Sequence, residues 1–404
     1  MSKKVKKIIY LDHASAAPID LNVQKSMDSI RSFFANPSAI HTSGVKAREL
    51  VENGRNQIAR LINAHRDEII FTGGGTESVA LAILGTVRNY NHKKIPHIIT
   101  TSIEHPAVIE NCRMLEKNNQ AEVTYIDPDG GGLINPKAIR DALKENTILV
   151  SIAYANNEIG TIQPITEIAK TIRHFRKNNN STFPIFHTDA CQAMNYLETS
   201  NIEKLGVDLM SFNSSKIYGP KGIGALYKKR NVSLQPLYFG GGQEYGLRSG
   251  TESPSLITGF AKALEVTSKI KIKESKRLVT IRDYAIRKLL SLSGKIGEYK
   301  IILNGDQKNR LPNNINISIS GISSELLVIE LDAKGIEVSS KSACKSESPD
   351  ESYVISKIRE AQNLKSDSTE GSLRITLGRS TKKPDIDKLV TAISNILNKY
   401  TKWK

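Results

Sequence analysis

Between residues 67 and 227, short apolar runs rich in β-branched residues alternate with segments whose apolar positions recur at helical spacing. The runs 67–72, 97–102, 123–126, 147–154, 183–188, 207–212 and 224–227 read as strands, and 76–87, 106–117, 136–143 and 166–175 as helices. Pro136 falls in the first turn of its helix, where a missing N–H leaves no bond unmade. A short strand at 8–11 and two amphipathic segments, 21–34 and 45–62, come before this block. Strands separated by single helices predict an α/β fold, a mainly parallel sheet with helices on both faces. Ligands of such sheets bind beyond the carboxyl ends of the strands.

The pattern then changes. A long helical stretch, 256–292, leads into strands at 299–303, 315–319, 338–339 and 373–377, with helices at 324–333 and 385–400. This predicts a large domain at 1–260 and a smaller α+β domain at 261–404, with residues 1–20 packing on the smaller one. The polar tract 341–351 is the single low-complexity stretch, and no internal repeat is present.

Composition narrows the class. At 39% apolar and 24% charged over 404 residues, the chain reads as an ordinary globular protein able to bury more than one core. Its net charge of +16 comes from Lys and Arg interleaved with Glu and Asp, without a dense basic block, so charge alone gives no ground for direct nucleic-acid binding. Cys112, Cys191 and Cys344 are too few and too scattered for a disulfide framework, and no Cys/His cluster predicts a metal. The apolar run near the N-terminus is too short for a signal segment and no stretch approaches a membrane span, so the expected location is the cytoplasm.

Candidate chemistry gathers at the predicted strand ends. Lys216 follows the run 207–212 in Asn213-Ser-Ser-Lys216-Ile-Tyr-Gly-Pro. A lysine held there loses hydration, which lowers its pKa and suits it to Schiff-base chemistry. Phe71-Thr-Gly-Gly-Gly-Thr76 is a glycine-rich turn into a helix, an anion cup built from backbone N–H groups, though not a Walker A or GxGxxG loop. His105 closes another strand and is placed to stack on a planar cofactor and move protons. In Asp189-Ala-Cys-Gln192 the carboxylate is suited to hold a pyridine nitrogen protonated, while Gln192 and Asn157 are suited to bind a ring oxygen. Each feature has an ordinary alternative: a surface lysine, a plain turn, a core histidine, a helix N-cap. Their joint order is that of a pyridoxal-phosphate (PLP) site.

Further motifs run through the chain: Asn36-Pro-Ser, Gly75-Thr76-Glu77-Ser78, Glu104-His105, Asn156-Asn157-Glu158-Ile-Gly160, Gly240-Gly-Gly-Gln-Glu244 and Arg248-Ser-Gly-Thr251. With them the sequence resembles the cysteine desulfurases of the class V aminotransferase-like group, fold type I PLP enzymes, from Ile9 to Arg379. The resemblance implies that Lys216 carries PLP, His105 stacks on its ring, Asp189 pairs with the ring nitrogen, and Gln192 and Asn157 hold the phenolic oxygen. Gly75, Thr76 and the partner subunit's Thr251 then take the phosphate, which implies a homodimer, and Ser214 or Ser215 adds a hydroxyl. Arg374 clamps the substrate carboxylate, with Asn36 as a second contact.

The reaction turns on Cys344, in the polar tract with Lys341 and Lys345 beside it, where positive charge favours the thiolate. Ser340-Lys-Ser-Ala-Cys344 matches the family's persulfide-forming loop. The resemblance therefore implies conversion of L-cysteine to L-alanine, with sulfur held on Cys344 for an iron–sulfur scaffold or a tRNA-thiolation enzyme. The chain departs from the family pattern at Ser215 (usually His), Asn213 (usually Ser) and Lys341 (usually Gly). Rival readings are a selenocysteine lyase or aminotransferase on the same fold, and a non-catalytic sulfur-relay or assembly partner.

Overall fold

The computed structural model describes residues 8–92, 94–340, 352–364 and 371–401. Its centre is a seven-stranded sheet in the order Ile69–Thr72, Gly224–Lys228, Leu209–Asn213, Ile185–Asp189, Thr147–Ser151, His97–Thr101, Glu122–Ile126. Leu209–Asn213 and the strands beyond it pair in parallel. Gly224–Lys228 runs antiparallel to both of its neighbours.

Successive side chains along a strand leave by opposite faces. Phe71, Val150, Phe186 and Met210 accordingly enter one core, against Ile58, Ile168 and Phe260 of the helices Thr42–Leu61, Ile165–Asn178 and Pro254–Leu290. Their neighbours Ile70, Leu149, Ile185 and Leu209 enter another, against Val79 and Val108 of the helices Gly75–Asn89 and Pro106–Lys117. The α/β fold with helices on both faces follows from this alternation.

The helix Pro254–Leu290 serves two cores. Its first turns bury Ile257 and Leu264 beneath the sheet, and its last bury Leu278, Ile281 and Leu289 in a third core. Around that third core lie the helix Lys383–Thr401 and an antiparallel sheet of Gly371–Thr376, Asn314–Ile319 and Ile301–Leu303. Ile9 and Leu11 join it from the other end of the chain, as Ile9–Tyr10 pairs in parallel with Ile336–Glu337.

Several boundaries differ from the sequence pattern. The first helix ends at Ser29 rather than near 34, and Phe34 is 91% exposed, because no core lies beside that turn to receive it. The strand expected at 147–154 stops at Ser151, since the Ala153 N–H leaves the ladder for the Glu104 carboxylate. Ile69–Thr72 begins two residues late because Arg66–Glu68 forms a 3₁₀ turn, with Glu68 accepting from the His65 N–H at 2.9 Å. The strand expected at 338–339 is Ile336–Glu337, and Ser339 instead bridges Arg374. The helix Tyr353–Ala361 has no counterpart in the pattern. Its apolar stripe is only Val354, Ile355 and Ile358, buried against Ile103 and Ile159.

Candidate active site

A cavity of about 210 Å³ opens at the carboxyl ends of the parallel strands. Gly75, Thr76, His105, Asn157, Asp189, Gln192, Lys216 and Arg374, all singled out from the sequence, line it together. Seven come from the ends of five strands of the large sheet or the loops after them, and Arg374 from the middle of Gly371–Thr376 in the three-stranded sheet, so only the tertiary fold brings them into one place.

The helix Gly75–Asn89 opens on this cavity after Gly74, and its first-turn N–H groups and positive dipole end favour an anion. Gly75 is bare for a steric reason: a Cβ there would stand 2.7 Å from Cys191 Sγ and 3.1 Å from Asn213 Nδ2. His105 caps the helix Pro106–Lys117, its Nδ1 accepting from the Ala107 N–H at 3.0 Å. Burial lowers its pKa, against the opposing pull of Asp189. A neutral ring, with Nδ1 as acceptor and a hydrogen on Nε2, is what this arrangement favours.

Asp189 ends its strand and accepts from the Cys191 N–H at 2.9 Å. The Cys191 side chain is half-buried on the cavity wall, and desolvation together with Asp189 pushes its pKa far up, so it is a neutral S–H. Gln192 donates to the Ala14 carbonyl at 3.0 Å. Lys216 follows the end of Leu209–Asn213, and its ammonium donates to the Ser15 carbonyl. Arg374, 2% exposed, pairs with Asp12 at 2.9 Å and donates to Ser15 Oγ at 2.7 Å and to the Asn157 carbonyl at 3.2 Å. Its Nε has no hydrogen-bond partner among the described residues.

Other expected residues stand elsewhere. Ser214 is buried with its Oγ turned toward Gly219, and Ser215 is held by its carbonyl, which accepts from the Ala17 N–H at 3.0 Å. Neither lines the cavity; Asn213 does, with Oδ1 buried and unpartnered among the described residues. Asn36 is exposed and caps Ser38, and Thr251 is exposed beyond the glycine-rich loop, so neither reaches this chain's own cavity. Cys344 lies outside the described residues. The cavity also takes in Ala14, Ser15, Cys191 and Asn213, which sequence reasoning gave no role. Cys191 and Asn213 sat inside recognised motifs, whereas Ser15 carried no local signal.

The profile of aminotransferase class-V matches residues 9–389. The chain belongs to that family. Among class-V aminotransferase relatives, it is 41% identical to cysteine desulfurase IscS of Dictyoglomus turgidum, over 98% of this chain and 96% of that protein. A solved NifS-like protein superposes with a TM-score of 0.85 at 31% identity, covering 97% of this chain and 99% of the other. A structure described as SspA in complex with cysteine gives 0.75 at 32% identity, over 91% and 98%. Class-V membership accounts for the mainly parallel sheet and for a cavity at its carboxyl edge.

Proposed function

We propose that this chain is a PLP-dependent cysteine desulfurase, taking sulfur from L-cysteine onto Cys344 and releasing L-alanine. The observation that carries the reading is the single cavity uniting Lys216, Asp189, His105, Asn157, Gln192 and Arg374. The likeness to cysteine desulfurase IscS and to a neighbour solved with cysteine supports the reaction and the substrate.

The donor set fits PLP. The helix N-terminus at Gly75 and Thr76 suits the phosphate, and Asn213, whose Oδ1 has no partner among the described residues, stands beside that cup. Asp189 is placed to hold the pyridine nitrogen, Asn157 and Gln192 the phenolic oxygen, His105 the ring face, and Lys216 the aldehyde carbon. Bound PLP supplies an electron sink for the substrate Cα. Lys216, its Nζ held by the Ser15 carbonyl, would take the Cα proton as the free amine. Arg374 orients the substrate carboxylate, its guanidinium aimed by Asp12 and Ser15. His105, neutral with its Nδ1 accepting from the Ala107 N–H, would donate its Nε2 hydrogen near the thiol and later take it back. The Cys344 thiolate then attacks the substrate sulfur. An S–S bond forms as Cβ–S breaks, the carbon keeps the electron pair and gains a proton, and alanine leaves.

The partners we assign are a second copy of the chain and a sulfur-accepting protein, either an iron–sulfur scaffold or a tRNA-thiolation enzyme. Phe34, Ile40 and Phe239 are 91%, 94% and 85% exposed, apolar side chains that a homodimer in which Thr251 reaches the partner's phosphate would have reason to cover. Among the described residues no helix is long and apolar enough to cross a membrane. Cys344→Ala tests the reaction: desulfuration of L-cysteine is expected to vanish while PLP absorbance stays. Persistent sulfur release by that variant would point to a lyase acting without a protein thiol.

A further inference from the structure

Residues 341–351 carry Cys344, and the chain on either side of them is fastened beside the active-site wall. On the near side, Ser339 exchanges backbone hydrogen bonds with Arg374 at 2.7 and 3.1 Å, and the Ser340 carbonyl accepts from Ser372 Oγ at 3.0 Å. On the far side, Ser352 Oγ donates to the buried carboxylate of Glu158 while capping the helix Tyr353–Ala361. Tyr353 Oη donates to the Glu104 carbonyl. Glu158 follows Asn157 and Glu104 precedes His105, so each anchor is one residue from a cavity side chain. The Glu158 backbone is itself held, its N–H by Asn156 at 2.8 Å and its carbonyl by Asn314 and Asn316 at 3.0 and 3.2 Å. Val354, Ile355 and Ile358 seal the joint against Ile103 and Ile159, a small core separate from the other three.

A serine hydroxyl bound to a buried carboxylate, next to a tyrosine bound to a backbone carbonyl, is more than a helix cap needs. We infer that Glu158, Ser352 and Tyr353 are positioning residues for sulfur transfer, fixing the exit of the cysteine-bearing segment relative to His105 and Asn157. This rests on the desulfurase reading above. Its consequence is a separation of steps: loosening the joint slows delivery of the thiolate while the cofactor cup, whose wall includes none of these three side chains, keeps its own lining.

The test uses full-length holoenzyme and follows two signals after mixing with L-cysteine. One is the substrate-induced change in PLP absorbance, and the other is persulfide on Cys344, trapped by alkylation and read by mass spectrometry. For Glu158→Ala and Tyr353→Phe, persulfide formation is expected to fall roughly tenfold to a hundredfold, the scale of a lost hydrogen bond to a buried group, with the absorbance change kept. Glu158→Gln retains an acceptor for Ser352 and is expected to recover most of the rate, as is Ser352→Thr against Ser352→Ala. Unchanged persulfide rates in both disruptive variants, or equal loss of both signals, would overturn the positioning role. Absence of persulfide on Cys344 in the unmodified enzyme would instead overturn the desulfurase reading, and this inference with it.

Discussion

Glu104 sits directly before His105, wholly buried, and burial pushes its carboxyl up from 4.5 to about 8, against the Ala153 N–H and the Thr101 hydroxyl that favour the charged form. At neutral pH it is therefore mostly protonated. The sign of its effect on stability follows. Below pH 4.5 the group is neutral whether the chain is folded or not, so it makes no difference there. Between 4.5 and about 8 the unfolded chain ionises while the folded one holds its proton, so stability falls as pH rises. Above about 8 both forms are ionised and the loss is complete. At roughly 1.4 kcal/mol per pH unit, the whole window is worth about 5 kcal/mol. Glu104→Gln keeps an oxygen for Ala153 and Thr101 and has no proton to lose. Urea unfolding followed by circular dichroism, from pH 4.5 to 9, gives the stability difference between the two proteins, in which the other titrating groups largely cancel. That difference should swing toward the glutamine variant by several kcal/mol, nearly all of it before pH 8. A difference flat to within about 1 kcal/mol across the range would refute the assignment of a neutral buried carboxyl.

Two further outcomes follow from packing. Arg55 and Glu244 form a buried pair at 2.7 Å, their side chains 3% and 1% exposed, and Glu244 also accepts from the Phe71 N–H at 2.7 Å. Glu244→Ala strands the guanidinium and should cost about 3–5 kcal/mol in denaturant unfolding, whereas Arg55→Met with Glu244→Leu should recover most of it; equal losses in both would contradict the account. At the cofactor cup, Gly75→Ala should weaken PLP binding about tenfold or more in equilibrium dialysis, because the new methyl meets Cys191 Sγ at 2.7 Å, with no comparable loss of helix stability. Adding Cys191→Ala should restore part of that affinity, and no recovery would mean that Asn213 sets the limit.

How much of this was legible without coordinates differs from one feature to the next. The α/β alternation was readable because strand and helix periods are local, and Phe71 and Ile70 go to opposite cores by pleat alone. The glycine-rich turn, Asp189-Ala-Cys-Gln192 and Lys216 were readable because a strand end followed by a turn is also local, and because chemistry restricts which side chains serve there. The helix Tyr353–Ala361 was missed because three buried aliphatics make too short a stripe to stand out after a polar tract.

What the amino-acid order determined by itself is thus the sequence of elements and the set of side chains able to hold PLP. Tertiary structure decided which of them meet, and which hydroxyl or amide faces the cup. Ser214 carries the right atom but the Lys216 turn points it toward Gly219, leaving Asn213 at the cavity. Ser15 and Asp12 became partners of Lys216 and Arg374 only because Ile9–Tyr10 is drawn into the third core beside Ile336–Glu337. Contacts across hundreds of residues leave no local periodicity to read. They are set by burial of apolar surface elsewhere, here of Ile9 and Leu11, which carries the polar side chains beside them to the site.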